Sequence, residues 1–88
     1  DLEATVRYLK DSGIQVVAAT EKTDNAYTQV DMTEPVAIIM GAEDIGVSPE
    51  LLSLCTHKVR IPMTGRIASL NVSVAAGVMI YEVVRQRG

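Results

Sequence analysis

The 88-residue chain has no tryptophan and no phenylalanine, and three tyrosines are its only aromatic residues. A core built on packed rings is thereby excluded. The 48% of residues that are hydrophobic are mostly Val, Ile, Leu, Ala and Met, the composition of strands buried on both faces of a parallel sheet. A single cysteine, Cys55, rules out an intrachain disulfide framework and fits a reducing, intracellular compartment. It reads as a small buried hydrophobe on a short helix. The single histidine, His57, has no second ligand at metal spacing and reads as a solvated loop residue.

Positive charge is also scarce. Eight Lys and Arg against eleven Asp and Glu leave a formal net charge of −3, which argues against a domain that holds nucleic acid by bulk electrostatics. Nucleic-acid contact must then be local or come from other sequence. No apolar run approaches the length of a membrane span, and no basic segment followed by an apolar stretch opens the chain. The chain therefore reads as soluble and cytoplasmic. Asn71-Val72-Ser73 matches the N-glycosylation pattern, but without secretion it has no acceptor role. A chain this short buries only about 60–65% of its unfolded surface, so a partner surface is expected.

Helical and strand patterns alternate along the chain. Leu2, Val6 and Leu9 recur at helical spacing and Gly13 suits a left-handed helix end, which predicts a helix over residues 2–12. Residues 14–19 form a short apolar run, read as a buried strand. Residues 20–34 are mostly polar, with Asp24-Asn25 as a turn signal and room for one helical turn near 25–29. Pro35 precedes a second buried strand over 36–40, then a loop over 41–47. Ser48 can cap a helix that begins at Pro49, with Glu50 near its positive end. A third strand is predicted over 58–61, stopped by Pro62, and the longest helix from about Asn71 to Arg87. Apolar strands separated by helices imply an α/β fold, a parallel sheet with helices on both faces.

Three turn chemistries carry the functional signal. Gly41-Ala42-Glu43-Asp44-Ile45-Gly46 follows a strand, where ligands bind in open α/β sheets. It lacks the second glycine of a dinucleotide fingerprint and the Lys of a P-loop. Taken alone, it is an ordinary strand-to-helix turn. Ile61-Pro62-Met63 offers backbone polar groups beside an apolar wall, the combination an adenine ring needs, although taken alone it reads better as core and a strand stop. Ser69 and Asn71 stand at the entry to the last helix, where Ser and Asn are also common caps. That helix is apolar nearly all round, from Val72 to Val84, and so should be buried on more than one side. Arg85, Gln86 and Arg87 complement its negative end. Lys58, Arg60 and Arg66 flank the third strand and could touch phosphates.

In this order, the Gly41–Gly46 loop, the Ile61-Pro62-Met63 segment and the Ser69-Leu70-Asn71-Val72-Ser73-Val74-Ala75-Ala76-Gly77 element resemble the C-terminal half of a SpoU-type (TrmH-like) RNA 2'-O-ribose methyltransferase, in the SPOUT superfamily. The resemblance implies an α/β trefoil-knot fold, of which residues 1–88 form a C-terminal portion with its motifs within 36–87. It implies S-adenosylmethionine as cofactor, tRNA or rRNA as substrate, and a homodimer formed through the last helix. Glu43, Asn71 and Ser69 are the implied catalytic residues. Cofactor contacts are implied for Thr20, Met40, Gly41 and Glu43, for Ile61 and Met63, and for Ser69, Leu70 and Asn71.

The reaction implied is transfer of a sulfonium methyl to a ribose 2'-hydroxyl. It needs in-line geometry and a group to take the hydroxyl proton, but neither metal nor covalent intermediate. The 2'-hydroxyl specifies RNA over DNA. The family's first motif, with an Asn and a catalytic Arg, finds no match here: Arg7 lies on the opening helix. With only three strands and that motif unmatched, the chain reads as part of a larger domain. A non-catalytic dimerisation or RNA-docking module with the same fold is the alternative.

Overall fold

A computed structural model describes residues 1–41, 46–63 and 71–88. Helix α1 (Leu2–Asp11) begins at Asp1, whose side chain accepts from the Glu3 backbone N–H at 2.8 Å. It ends in a Schellman turn: Gly13 takes a φ of +83°, its N–H donates to Lys10, and the Ile14 N–H reaches back to Leu9 at 3.0 Å. The cap thus uses the Ile14 amide, and strand β1 runs Gln15–Ala19, one residue shorter than its apolar run suggested. After a 3₁₀ turn at Tyr27–Gln29 come β2 (Val36–Met40), α2 (Pro49–Leu54), β3 (His57–Val59) and α3 (Val72–Arg87).

The three strands form one parallel sheet in the order β2-β1-β3. Because side chains alternate along a strand, the sheet sorts its residues between two cores. Val16 and Ala18 of β1, with Ala37 and Ile39 of β2, pack against Val6 and Leu9 of α1 and Leu51 and Leu52 of α2. Val17 and Ala19, with Val36, Ile38 and Met40, pack on the other face against Met32, Val59, Met79 and Val83. Helices therefore cover both faces, as the unbroken apolar strands require. Ser48 caps α2, accepting from the Leu51 N–H at 3.2 Å, with Pro49 at its first position. Cys55 is half-buried at the end of α2, its Sγ 3.3 Å from the Leu51 carbonyl, and burial pushes its thiol pKa up.

One local expectation differs from the structure. Strand β3 occupies residues 57–59 rather than 58–61, because Arg60 leaves the sheet ladder to pair with the polar connection: its N–H donates to Asn25 at 2.7 Å and its carbonyl accepts from Tyr27 at 2.9 Å. Helix α3 buries only Ala75, Met79 and Glu82, and so one face, within this chain. Its other side leaves Val74, Ile80, Tyr81 and Val84 between 53% and 72% exposed.

Candidate cofactor site at the carboxyl ends of the strands

Parallel strands bring their carboxyl ends to one edge of the sheet. Ala19 is in register with both Met40 and Val59, so Thr20, Gly41 and Arg60 stand side by side just beyond. Thr20 is held there by its N–H, which donates to the Val59 carbonyl at 2.8 Å, while its hydroxyl accepts from the Lys22 N–H at 3.1 Å. Met40 and Ile61 pack on the Val17–Met79 core, giving this edge an apolar floor. Met63 is half-buried.

Gly41 stands at a tight neck. A Cβ there would lie 2.6 Å from the Gly46 Cα and 2.6 Å from the Val47 nitrogen, inside any permitted contact. Glycine at 41 is thus required by close backbone approach, whereas Gly46 is required by its φ of +73°. The loop leaves β2 and returns through this neck, and Val47, buried at its exit, anchors it in the α1–α2 core.

The direction of α3 brings in the last site residue. Its C-terminal Gln86 and Arg87 bond to the backbone of residues 30–34, just before β2 begins, and the helix packs on β2 through Met79 and Val83. It therefore runs antiparallel to β2. Sixteen residues span about 24 Å at 1.5 Å per residue, longer than the strand, so its N-terminus points to the edge holding Thr20 and Gly41. Asn71 caps that end, its side-chain oxygen accepting from the Ser73 N–H at 2.8 Å. Thr20, Met40 and Gly41 thus share one edge, Ile61 packs on the same core as Met40, and the Asn71 end of α3 is directed toward that edge; Glu43, Ser69, Leu70 and Arg66 lie outside the described residues.

A groove of about 530 Å³ opens at the opposite end, lined by Gly13, Gln15, Gln29, Asp31, Glu34 and His57 among others. The Asp31 carboxyl is held below the usual carboxylate range, chiefly by the Thr33 hydroxyl and then by its N–H. With Glu34 beside it, the groove is anionic and suits neither RNA phosphate nor an apolar adenine wall. Among the described residues no group of His, Cys, Asp and Glu could hold a metal ion, and no helix is long and apolar enough to cross a membrane.

Sequence reasoning named the polar end of α3 but missed Glu82 within it. Glu82 is buried and makes two 2.7 Å bonds with Arg85. The Arg85 guanidinium, and then the Gln86 amide, bring its carboxyl down to about 2. The i,i+3 and i,i+4 spacing to Arg85 and Gln86 was the available local signal.

A model of the SpoU rRNA Methylase family matches residues 1–81. The chain is 46% identical over 88 residues to a tRNA (guanosine(18)-2'-O)-methyltransferase of Thermus thermophilus, covering 99% of this chain and 45% of that protein. It is 42% identical to the 23S rRNA (guanosine-2'-O-)-methyltransferase RlmB of Yersinia pestis, covering 100% and 36%. Among solved structures, a TrmH/SpoU tRNA modifying enzyme from A. aeolicus superposes with a TM-score of 0.89 at 38% identity, over 99% of this chain and 45% of that one. An AdoMet-bound rRNA methyltransferase from Sinorhizobium meliloti gives 0.86 at 36% identity, over 94% and 32%. The chain spans less than half the length of these relatives.

Proposed function

The chain belongs to the SpoU rRNA Methylase family, and we propose that it supplies the cofactor site and dimer helix of an enzyme that methylates a ribose 2'-hydroxyl in tRNA or rRNA. The observation that carries this reading is that Thr20 and Gly41 stand just beyond the carboxyl ends of parallel strands, where α/β folds bind ligands, with Ile61 packed on the same core as Met40 and the C-terminal end of α3 bonded to the segment before β2. S-adenosylmethionine suits the residues there. Its adenine needs a flat apolar wall with backbone polar groups beside it, which Ile61 and Met63 offer, and the Gly41 neck brings the backbone of Gly41, Gly46 and Val47 together at the same edge.

When bound, the cofactor supplies an electrophilic methyl. It would offer that methyl, with a thioether as leaving group, to a ribose 2'-oxygen whose proton a base must take. Holding these atoms in line is worth several orders of magnitude in rate. Asn71 and the motif residues Glu43, Ser69 and Leu70 are assigned to that task. Arg7, paired at 3.9 Å with Glu3 on the surface of α1, is not a candidate for the proton-handling Arg of the family's first motif.

The homodimer belongs to the same proposal. Val74, Ile80, Tyr81 and Val84 form an uncovered apolar side on α3, a surface that isolated chains seldom keep. The trefoil-knotted form of the fold and a cytoplasmic location complete the reading. The test is transfer of labelled methyl from the cofactor to RNA by the full-length protein. Incorporation that disappears when the target ribose is 2'-deoxy supports the proposal. Cofactor binding with no transfer to any tRNA or rRNA would favour the non-catalytic module.

A further inference from the structure

The last turn of α3 grips a segment more than fifty residues away in sequence. The Gln86 side-chain oxygen accepts from the Met32 N–H at 2.6 Å, and its nitrogen donates to the Val30 carbonyl at 2.9 Å. The other donor of that amide meets Glu82 Oε2 at 2.8 Å. In an extended chain the carbonyl of one residue and the N–H two residues on face the same side. The Gln86 amide therefore pairs with Val30–Met32 as the peptide of a neighbouring strand would, with both its donors and its oxygen in use. Arg87 adds bonds to the carbonyls of Met32 at 3.2 Å and Glu34 at 2.9 Å. Glu82, itself 4% exposed, is pinned by Arg85 and holds the amide in its rotamer.

Among the described residues, the contacts of α3 with the sheet are apolar and not directional. Met79 and Val83 press against the sheet, and such contacts tolerate sliding along the helix axis. Among the described residues, Gln86 and Arg87 are the α3 side chains that hydrogen-bond to the backbone of another segment. They lie at one end, while Asn71 lies at the other. Over a helix of about 24 Å, a tilt of only about 2–3° moves the far end by about 1 Å, a misplacement that costs on the order of a hundredfold in rate.

We propose that Gln86 is a positioning residue for the methyl-transfer site: by clamping Val30–Met32 it fixes the tilt and register of α3, and so the place of Asn71. This rests on the function proposed above, but its physical core, that the two ends of α3 are coupled, does not. The test compares Gln86→Leu with Val6→Ala, which opens a cavity in the α1–α2 core on the opposite face of the sheet. Both are made in the full-length protein, and the readouts are the melting temperature, the Ser73 amide resonance and kcat at saturating cofactor and RNA.

Gln86→Leu is expected to move the Ser73 resonance and lower kcat by about tenfold or more, while Val6→Ala, with a comparable loss of melting temperature, leaves both near the parent. Should Gln86→Leu not fold, Gln86→Asn keeps the amide on a side chain one methylene shorter and should show a smaller effect of the same kind. An unmoved Ser73 resonance and a kcat like that of Val6→Ala would overturn the proposal. A parent protein that transfers no methyl would overturn the assigned function instead, with the Ser73 resonance still deciding whether the ends of α3 are coupled.

Discussion

Replacing Gly41 with Ala places one methyl group where the fold has no room for it. The new Cβ would stand 2.6 Å from the Gly46 Cα and from the Val47 nitrogen, whereas carbon atoms pack comfortably at about 3.5–4.0 Å. Both neighbours are backbone, so no side chain can swing aside. The neck must open by roughly 1 Å, or Met40 must shift inward against the core. Overpacking of this kind costs about 1–3 kcal/mol. If cofactor binding needs the neck closed, the same energy weakens affinity by roughly 5- to 150-fold.

Gly46→Ala is the informative partner. Its Cβ meets open space, so it leaves the neck alone, but its φ of +73° makes a side chain cost about 1–2 kcal/mol. The two variants should lose similar stability in a melting experiment, yet Gly41→Ala should lose far more affinity when S-adenosylmethionine is titrated calorimetrically. Parent-like affinity in Gly41→Ala would refute the claim that the closed neck shapes the site.

Gly77→Ala adds a Cβ into open space within a helix and should stabilise the monomer by about 0.5–1 kcal/mol; if the outer side of α3 is the dimer surface, sedimentation should show weaker association at the same time. Ile80→Asp should give a folded monomer by the same measurement. Asn71→Ala should cost about 1 kcal/mol as a lost cap but reduce methyl transfer by about a hundredfold; methylation at the parent rate would leave Asn71 as a cap alone. Glu82 titrates near 2 in the folded chain, below its ordinary 4.5. The unfolded chain therefore binds a proton first as pH falls, and stability present above about pH 4.5 is lost progressively toward pH 2. Glu82→Gln should flatten that part of a stability–pH curve.

What was legible in the sequence was local. Ser48-Pro49 announced a capped helix, Gly13 a helix end, and Val36–Met40 a strand with matching bounds. The chemistry of each depends on neighbours within a turn. What was not legible depended on contacts between distant residues. Arg60 reads as strand until its bonds to Asn25 and Tyr27 draw it away. Gln86 reads only as a complement to the negative helix end, because Val30 and Met32 lie 56 and 54 residues from it. The sheet order β2-β1-β3 likewise leaves no periodic trace. Of the site, the strand ends and the Asn71 cap followed from turn chemistry, whereas the steric need for Gly41 appears only when Gly46 and Val47 come back against it.

The most direct measurement is a titration of the isotopically labelled full-length protein with S-adenosylhomocysteine, followed by amide resonances. Saturable shifts at Thr20, Gly41, Ile61, Met63 and Asn71, with Gln15, Gln29 and Asp31 of the opposite groove unmoved, are the predicted result. Shifts confined to that anionic groove, or none at millimolar ligand, would contradict the assignment of the cofactor to the carboxyl edge of the sheet.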